Sequence, residues 1–294
     1  MFMVKKVSFF VSVLVTVLLS CSLQSAGTKP TEVKITPGDS VCAEPLIIDT
    51  FIQSKFVNKK MKFKVLLPST YKNFDSLPLM YLLHGYGGDE SSYVVGLPVI
   101  KALVDSLDIV LVCVSTDAGW YVNSVVDPKL QYENYLLNEL FPFVNDNFKV
   151  IKGVNKIGIA GLSMGGFGSL YLSFKHPELF AYVGGSSSCV DIKPYPKNWG
   201  LKSIFGNLEG GEHIYESHSP YYMLDSLKKE SLKYRLVLDC GDVDFFYKDN
   251  NRFDEKLTEK GIKHEYYTSP GDHNWEYWRT SIPNHIKRFV ETVK

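Results

Sequence analysis

The chain has 294 residues, 45% of them hydrophobic and 22% charged, the balance of a polypeptide that buries a core. Its 32 Lys and Arg are matched by 32 Asp and Glu, so no global basic field exists to hold nucleic acid. Aromatic residues reach 14%, with 18 Tyr, which suits sugar or aromatic ligands and tyrosine-rich cores alike.

The first segment, MFMVKK, is followed by the apolar VSFFVSVLVTVLLS. A short apolar stretch after two lysines reads as a signal peptide over residues 1–20, not as a spanning helix. Leu18-Leu19-Ser20-Cys21 resembles a bacterial lipobox. That likeness implies a lipidated Cys21 and a membrane-anchored protein, periplasmic or cell-surface facing, tethered to a bilayer without crossing it. The same residues also read as a plain cleavable secretory signal with an incidental cysteine, and both readings export the chain. Residues 21–44 are polar, with Pro30, Pro37 and Gly38, and read as a tether. Export permits disulfides, yet pairing among Cys42, Cys113, Cys189 and Cys240 cannot be read from sequence. Cys113 and Cys240 lie in or at the ends of apolar runs, where a buried thiol is the default. No CxxC or His-rich spacing suggests zinc, and no metal is expected.

From residue 45 the character changes. LIIDTFIQSKF and KMKFKVLLP are β-rich runs around VNKK and predict a hairpin. LPLMYLLHGYGG is a near-continuous apolar run ending in glycines, as a strand buried on both faces requires. GLPVIKALVDSL has helical spacing, and DIVLVCVST is a second buried strand. YENYLLNELFPFVNDNF places Tyr135, Leu136, Leu140, Phe143 and Val144 on one helical face. A strand, NKIGIAG, precedes the helix GGFGSLYLSFKH, and FAYVGGSSS is a further strand. Residues 191–219 read as an irregular excursion that can overhang a site as a lid. SPYYMLDSLKK predicts a helix capped by Ser219. Strand YRLVLDC, helix NNRFDEKLTEKG, strand KHEYYTS and a helical region broken near Pro283 follow. Apolar strands alternating with amphipathic helices predict an α/β fold, a mostly parallel central sheet with helices on both faces, over residues 45–294.

Gly161-Leu162-Ser163-Met164-Gly165 is a G-x-S-x-G. By average usage it arises by chance in about one in ten chains this long, so the context decides. A nucleophile elbow needs a strand before it and a helix after it, and both are predicted. A serine hydroxyl also needs a base, expected after an acid in chain order. His273 in SPGDHNWEYW follows the last predicted strand and can reach back over the strand ends. His264 reads as structural and His285 as solvent-facing on the terminal helix, while His213 and His218 can line the mouth. In LVLDCGDVDFFY, Asp239 lies within the strand. Asp244 lies past the Gly241 turn and ranks first as the acid, with Asp242 second. Two oxyanion donors are expected, the N–H of Met164 after the serine and the N–H of Tyr86 in LLHGYGG. His84 reads as a brace for that loop.

HGYGG, GLSMGG, CGDVD and GDHNWEYW occur in the order found in the esterase D-like branch of the α/β hydrolases, and the likeness runs from about Leu46 onward. That branch includes tributyrin esterases, feruloyl esterases, S-formylglutathione hydrolases and mycolyltransferases. The resemblance implies Ser163 as nucleophile, Asp244 as acid, His273 as base and the Tyr86 and Met164 N–H groups as oxyanion hole. AGWY resembles the stretch that reaches the pocket rim in tributyrin esterases, which implies Trp120 and Tyr121 around the substrate, although Trp120 also reads as a core residue; Trp275, in GDHNWEYW, is a further substrate-side candidate. No cofactor is implied. The expected activity is an exported serine carboxylesterase on short-chain acyl or carbohydrate-linked (acetyl or feruloyl) esters, small or attached to polysaccharide. Acyl transfer to a sugar or lipid alcohol is the alternative, and a non-catalytic surface binding protein the reading from another class.

Overall fold

The computed structural model describes residues 16–17, 44–153 and 156–294. The leader over 1–20, apart from the backbone of Thr16–Val17, lies outside the described residues, as do Cys21, Cys42 and nearly all of the 21–44 tether.

One sheet carries β1 (Thr16–Val17), β2 (Leu46–Ser54), β3 (Lys59–Leu67), β4 (Leu79–Leu83), β5 (Val110–Val114), β6 (Ile157–Leu162), β7 (Phe180–Ser186), β8 (Arg235–Gly241) and β9 (Glu265–Ser269). Its order is β1-β2-β3-β5-β4-β6-β7-β8-β9. The expected hairpin is β2–β3, paired antiparallel from Leu46↔Leu67 to Ser54↔Lys59. Its turn is tied by Ser54 Oγ, which accepts from the N–H groups of Phe56 and Val57, both at 3.1 Å. β3 also pairs antiparallel with β5, and each pair from β5 to β9 across the sheet is parallel.

The helices are α1 (Ser92–Gly96), α2 (Ile100–Leu107), α3 (Tyr132–Tyr135), α4 (Phe141–Asn147), α5 (Met164–Lys175), α6 (Leu201–Phe205), α7 (Glu212–His218), α8 (Pro220–Met223), α9 (Tyr247–Glu259) and α10 (Trp275–Val293). A π-helical turn, Leu136–Leu140, joins α3 to α4. Every residue of β4, β5, β6 and β7 is buried, because helices cover both faces. Met80 and Leu82 pack with Ile100 and Val104 of α2 and Ile282, Ile286 and Phe289 of α10. Leu79, Tyr81 and Leu83 pack with Phe167 and Leu170 of α5 and Phe253 of α9. The alternation along β4 is the pleat sending successive side chains to opposite cores.

Four expectations need correction. Residues 191–219 are not irregular throughout: α6 and α7 form where Leu201, Ile204, Phe205 and Tyr215 find burial. Ser219 stands at the N-cap of α8, a single turn, but its side chain makes no cap bond; its Oγ donates to Tyr215 O at 2.7 Å and accepts from Ile192 N at 3.1 Å. Pro283 does not break the last helix. A proline removes one helical N–H and crowds the preceding turn, but α10 is clamped on both sides of it by buried Ile282, Ile286, Phe289 and Val290. His285 is not solvent-facing. It shares that buried stripe, with Nε2 at 2.6 Å from Asp239 Oδ2 and Nδ1 at 2.7 Å from Tyr182 Oη.

Candidate active site

Ser163 stands between β6 and α5 with φ 56° and ψ −117°, a backbone conformation that an ordinary residue avoids. The sharp reversal brings chain against chain. A Cβ at Gly161 would lie 2.3 Å from the carbonyl of Gly165, and one at Gly165 would lie 1.8 Å from Leu83 O at the end of β4. Neither site tolerates any side chain, which is why the motif carries glycine there. The Ser163 N–H donates to Ser186 O of β7 at 2.9 Å, and its carbonyl accepts from Phe167 N at 3.0 Å. Met164 opens α5, so its N–H is among the first-turn donors that have no intrahelical acceptor.

His273 lies in the loop between β9 and α10. Its Nε2 is 2.9 Å from Ser163 Oγ. Its Nδ1 is 2.8 Å from Asp244 Oδ2 and 3.0 Å from Oδ1. An ionised carboxylate only accepts, so this contact places the ring proton on Nδ1 and leaves the Nε2 lone pair facing the serine hydroxyl. Asp244 has no exposed side-chain surface and also accepts from Phe246 N at 2.8 Å. Asp242, the second-ranked acid, is exposed and does not contact His273. Its Oδ1 accepts from Gly271 N at 3.1 Å and braces the loop that carries the histidine. The ring of His273 is packed by Phe245 at 4.2 Å, Trp278 at 5.0 Å and Phe246 at 5.4 Å between centroids.

The HGYGG segment follows β4 and lies over the serine: a Cβ at Gly85 would be 3.4 Å from Ser163 Cβ. His84 braces this loop from inside. Its Nδ1 donates to Gly85 O at 2.7 Å, and its Nε2 accepts from Thr116 N at 3.3 Å. Burial lowers its pKa, so the neutral ring that these two bonds require is the stable one. Tyr86 is 44% exposed at the rim.

Ser163 and His273 open into a cavity of about 490 Å³. Trp120 and Trp275 line it, as the sequence suggested. Trp120 is also a core residue, packed edge-on against Phe167, and its Nε1 donates to Trp199 O at 3.0 Å. Tyr121 does not reach the cavity. It is fully buried behind it, and its Oη donates to His84 O at 2.8 Å. Trp120 and Tyr121 both hold positive φ, 55° and 62°, which turns the two rings to different sides. His213 and His218 are also away from the mouth: His218 stacks on Tyr171, and His213 is exposed on α7. His264 is structural, with Nε2 2.8 Å from Asp254 Oδ1.

Four walls escaped the sequence reading: Trp199, Phe245, Phe246 and Trp278. Phe245 and Phe246 follow Asp244 directly, so an acid in that loop carries them to the site. Trp278 stands one helical turn beyond Asn274, the cap of α10 whose Oδ1 accepts from Glu276 N at 2.9 Å. Trp199 is an aromatic residue in a polar stretch, and through it the 191–219 excursion does reach the site. Among the described residues no cluster of three or more His, Cys, Asp or Glu is placed to hold a metal ion. Cys113, Cys189 and Cys240 are free and buried, and burial pushes the Cys113 thiol up to about 12.

Residues 54–289 match the Esterase family, whose description reads "Putative esterase". The chain is 26% identical over 252 residues to an acetyl esterase of Caldicellulosiruptor saccharolyticus, covering 79% of this chain and 93% of the relative. It is 29% identical over 262 residues to S-formylglutathione hydrolase of Bos taurus, with 79% and 89% covered. Among solved structures, the fluorophosphonate-binding serine hydrolase FphF of Staphylococcus aureus superposes with a TM-score of 0.75 at 25% identity, covering 84% of this chain and 99% of that one. The matched span takes in every residue that lines the cavity, and the chain belongs to this esterase family, as an ester hydrolase of the α/β-hydrolase fold.

Proposed function

We propose that this esterase is a serine carboxylesterase that cleaves short-chain acyl esters or carbohydrate-linked acetyl or feruloyl esters, through Ser163, His273 and Asp244. The observation that carries the reading is the unbroken contact chain from Ser163 Oγ through His273 to a fully buried Asp244 carboxylate, open to an aromatic-walled cavity. Ser163 Oγ attacks the ester carbonyl carbon while His273 Nε2 takes the hydroxyl proton. The carbonyl oxygen becomes an oxyanion held by the Tyr86 and Met164 N–H groups. Asp244 stabilises the imidazolium. The carbon–oxygen bond to the alcohol then breaks, and His273 returns its proton to the leaving oxygen. Water, deprotonated by the same nitrogen, attacks the acyl-enzyme and frees the acid. Trp120 forms a wall for the substrate, and the kinship with an acetyl esterase supports a small acyl group.

A tagged fluorophosphonate tests the nucleophile. It is expected to label the wild type at one site and to leave Ser163→Ala unlabelled; labelling that persists in the variant would sink the assignment. Turnover of p-nitrophenyl acetate, butyrate and feruloyl esters sets the acyl preference, and no turnover on any of them would favour a binding protein instead. We also propose that the chain is exported and anchored by lipid on Cys21, a reading supported by the apolar leader and the Leu18–Cys21 sequence. Cys21→Ser is then expected to shift the protein from the membrane fraction to the soluble one, and unchanged fractionation would count against the anchor.

A further inference from the structure

Asp239 is a second buried acid near the site, and the chemistry above does not use it. It stands in β8, five residues before Asp244, and its carboxylate is almost wholly enclosed. Its Oδ1 accepts from Ser186 Oγ and from Tyr277 Oη, each at 2.8 Å. Its Oδ2 faces His285 Nε2 at 2.6 Å. Its backbone carbonyl accepts from Ser187 N at 2.7 Å. His285 sits over β7, where a Cβ at Gly184 would come within 2.6 Å of its Nδ1. Burial pushes the Asp239 pKa up, but the His285 charge and the hydroxyl bonds outweigh it and hold the group below the usual carboxylate range.

A buried acid–histidine pair is a poor device for stability alone, because desolvation consumes most of its attraction and an apolar pair of the same volume serves as well. What this pair touches suggests another use. Ser186, on one side, supplies the carbonyl that accepts the Ser163 N–H at 2.9 Å. Tyr277, on the other side, presses its ring on the histidine loop: a Cβ at Gly271 would lie 2.4 Å from Tyr277 Cδ2. Trp278, next to Tyr277, meets the His273 ring edge-on, and its Nε1 donates to Ser187 Oγ at 3.1 Å. Ser281, one turn further along α10, donates to Ser186 Oγ at 2.7 Å. Asp239 therefore joins the strand end that seats the serine to the helix start that seats the histidine.

We propose that Asp239, oriented by His285, is a positioning residue that sets the distance between Ser163 and His273 through Ser186 on one side and Tyr277 on the other. The proposal rests on the reading of Ser163 and His273 as the reacting pair. Hydrogen-bonded nucleophile and base are sensitive to small displacements, and an error of about 1 Å costs on the order of 100-fold in rate.

The test uses Tyr277→Phe, which keeps the ring against Gly271 and removes only the tether, and Asp239→Asn, which keeps an acceptor oxygen and removes the charge. Active sites are counted by titration with a fluorophosphonate, and kcat per titrated site is compared with KM and with the melting temperature. Tyr277→Phe is expected to lower kcat per site by about 10-fold and Asp239→Asn by about 100-fold, with KM within about twofold of wild type and the phosphonate inactivation rate falling in parallel. A merely structural role lowers the melting temperature and leaves kcat per site alone, and a wild-type value in Tyr277→Phe overturns the proposal. If Asp239→Asn does not fold, Tyr277→Phe decides by itself. Labelling that persists in Ser163→Ala overturns the underlying reading, whereas loss of labelling there with a wild-type rate in Tyr277→Phe overturns the positioning role only.

Discussion

Ser163→Ala and His273→Ala are each expected to lower kcat on a p-nitrophenyl ester by about 10⁶-fold, and the double variant by no more than either alone. A serine hydroxyl without a base is a weak nucleophile, and a base without the hydroxyl has no proton to take. The 2.9 Å contact between them makes the two groups one unit, so the second deletion removes nothing further. What remains is the cavity and the proposed Tyr86 and Met164 donors, a combination worth about 10³- to 10⁴-fold over water in comparable sites. KM should stay near the wild-type value, because Trp120, Trp199 and Trp275 still form the walls. Stopped-flow kinetics on the three variants provide the check. A His273→Ala enzyme that keeps a tenth of its rate would remove the histidine from the chemistry.

The second large effect separates two neighbouring acids. Asp244→Asn is expected to lower kcat by about 10⁴-fold, the size seen when the acid of such a triad becomes an amide. The amide can present its N–H₂ to His273 Nδ1. That moves the ring proton to Nε2, where it blocks acceptance of the serine proton. Asp242→Asn keeps the oxygen that accepts from Gly271 N, and its loss should stay within about tenfold. Steady-state kcat for both variants settles the order, and a larger loss in Asp242→Asn would reverse it.

Much of the molecule was legible in its residues. β4 to β7 are continuous apolar runs because both faces are covered, and the hairpin β2–β3 shows itself in β-rich runs around a polar turn. Ser163, Asp244 and His273 were legible because chain order, strand ends and loop placement restrict each role to a few candidates. The misses come from contacts between distant segments, from local backbone turns and, at His285, from a helical phase left unread. Tyr121 reads like its neighbour Trp120, but consecutive left-handed residues send one ring to the cavity and the other behind it. His285 reads as solvent-facing from its place on the terminal helix. Its phase with Ile282, Ile286 and Phe289 already puts it on the buried stripe, and only Asp239, far away in sequence, explains how it is tolerated there. Pro283 looked like a helix end because local propensity opposes it, and packing on both sides overrides the propensity. Trp199 joins the cavity through a carbonyl held by Trp120, a pairing across 79 residues that no local pattern encodes.

The conformation of Ser163 limits which side chains can replace it. At φ 56° and ψ −117° the position accepts a side chain with one heavy atom on its Cβ and strongly disfavours two. Threonine offers the same hydroxyl chemistry, yet its extra methyl conflicts with this backbone. Cysteine has the shape of serine and differs by the reacting atom alone. Ser163→Cys should therefore keep the turn and exchange only the reacting atom, whereas Ser163→Thr strains the turn itself.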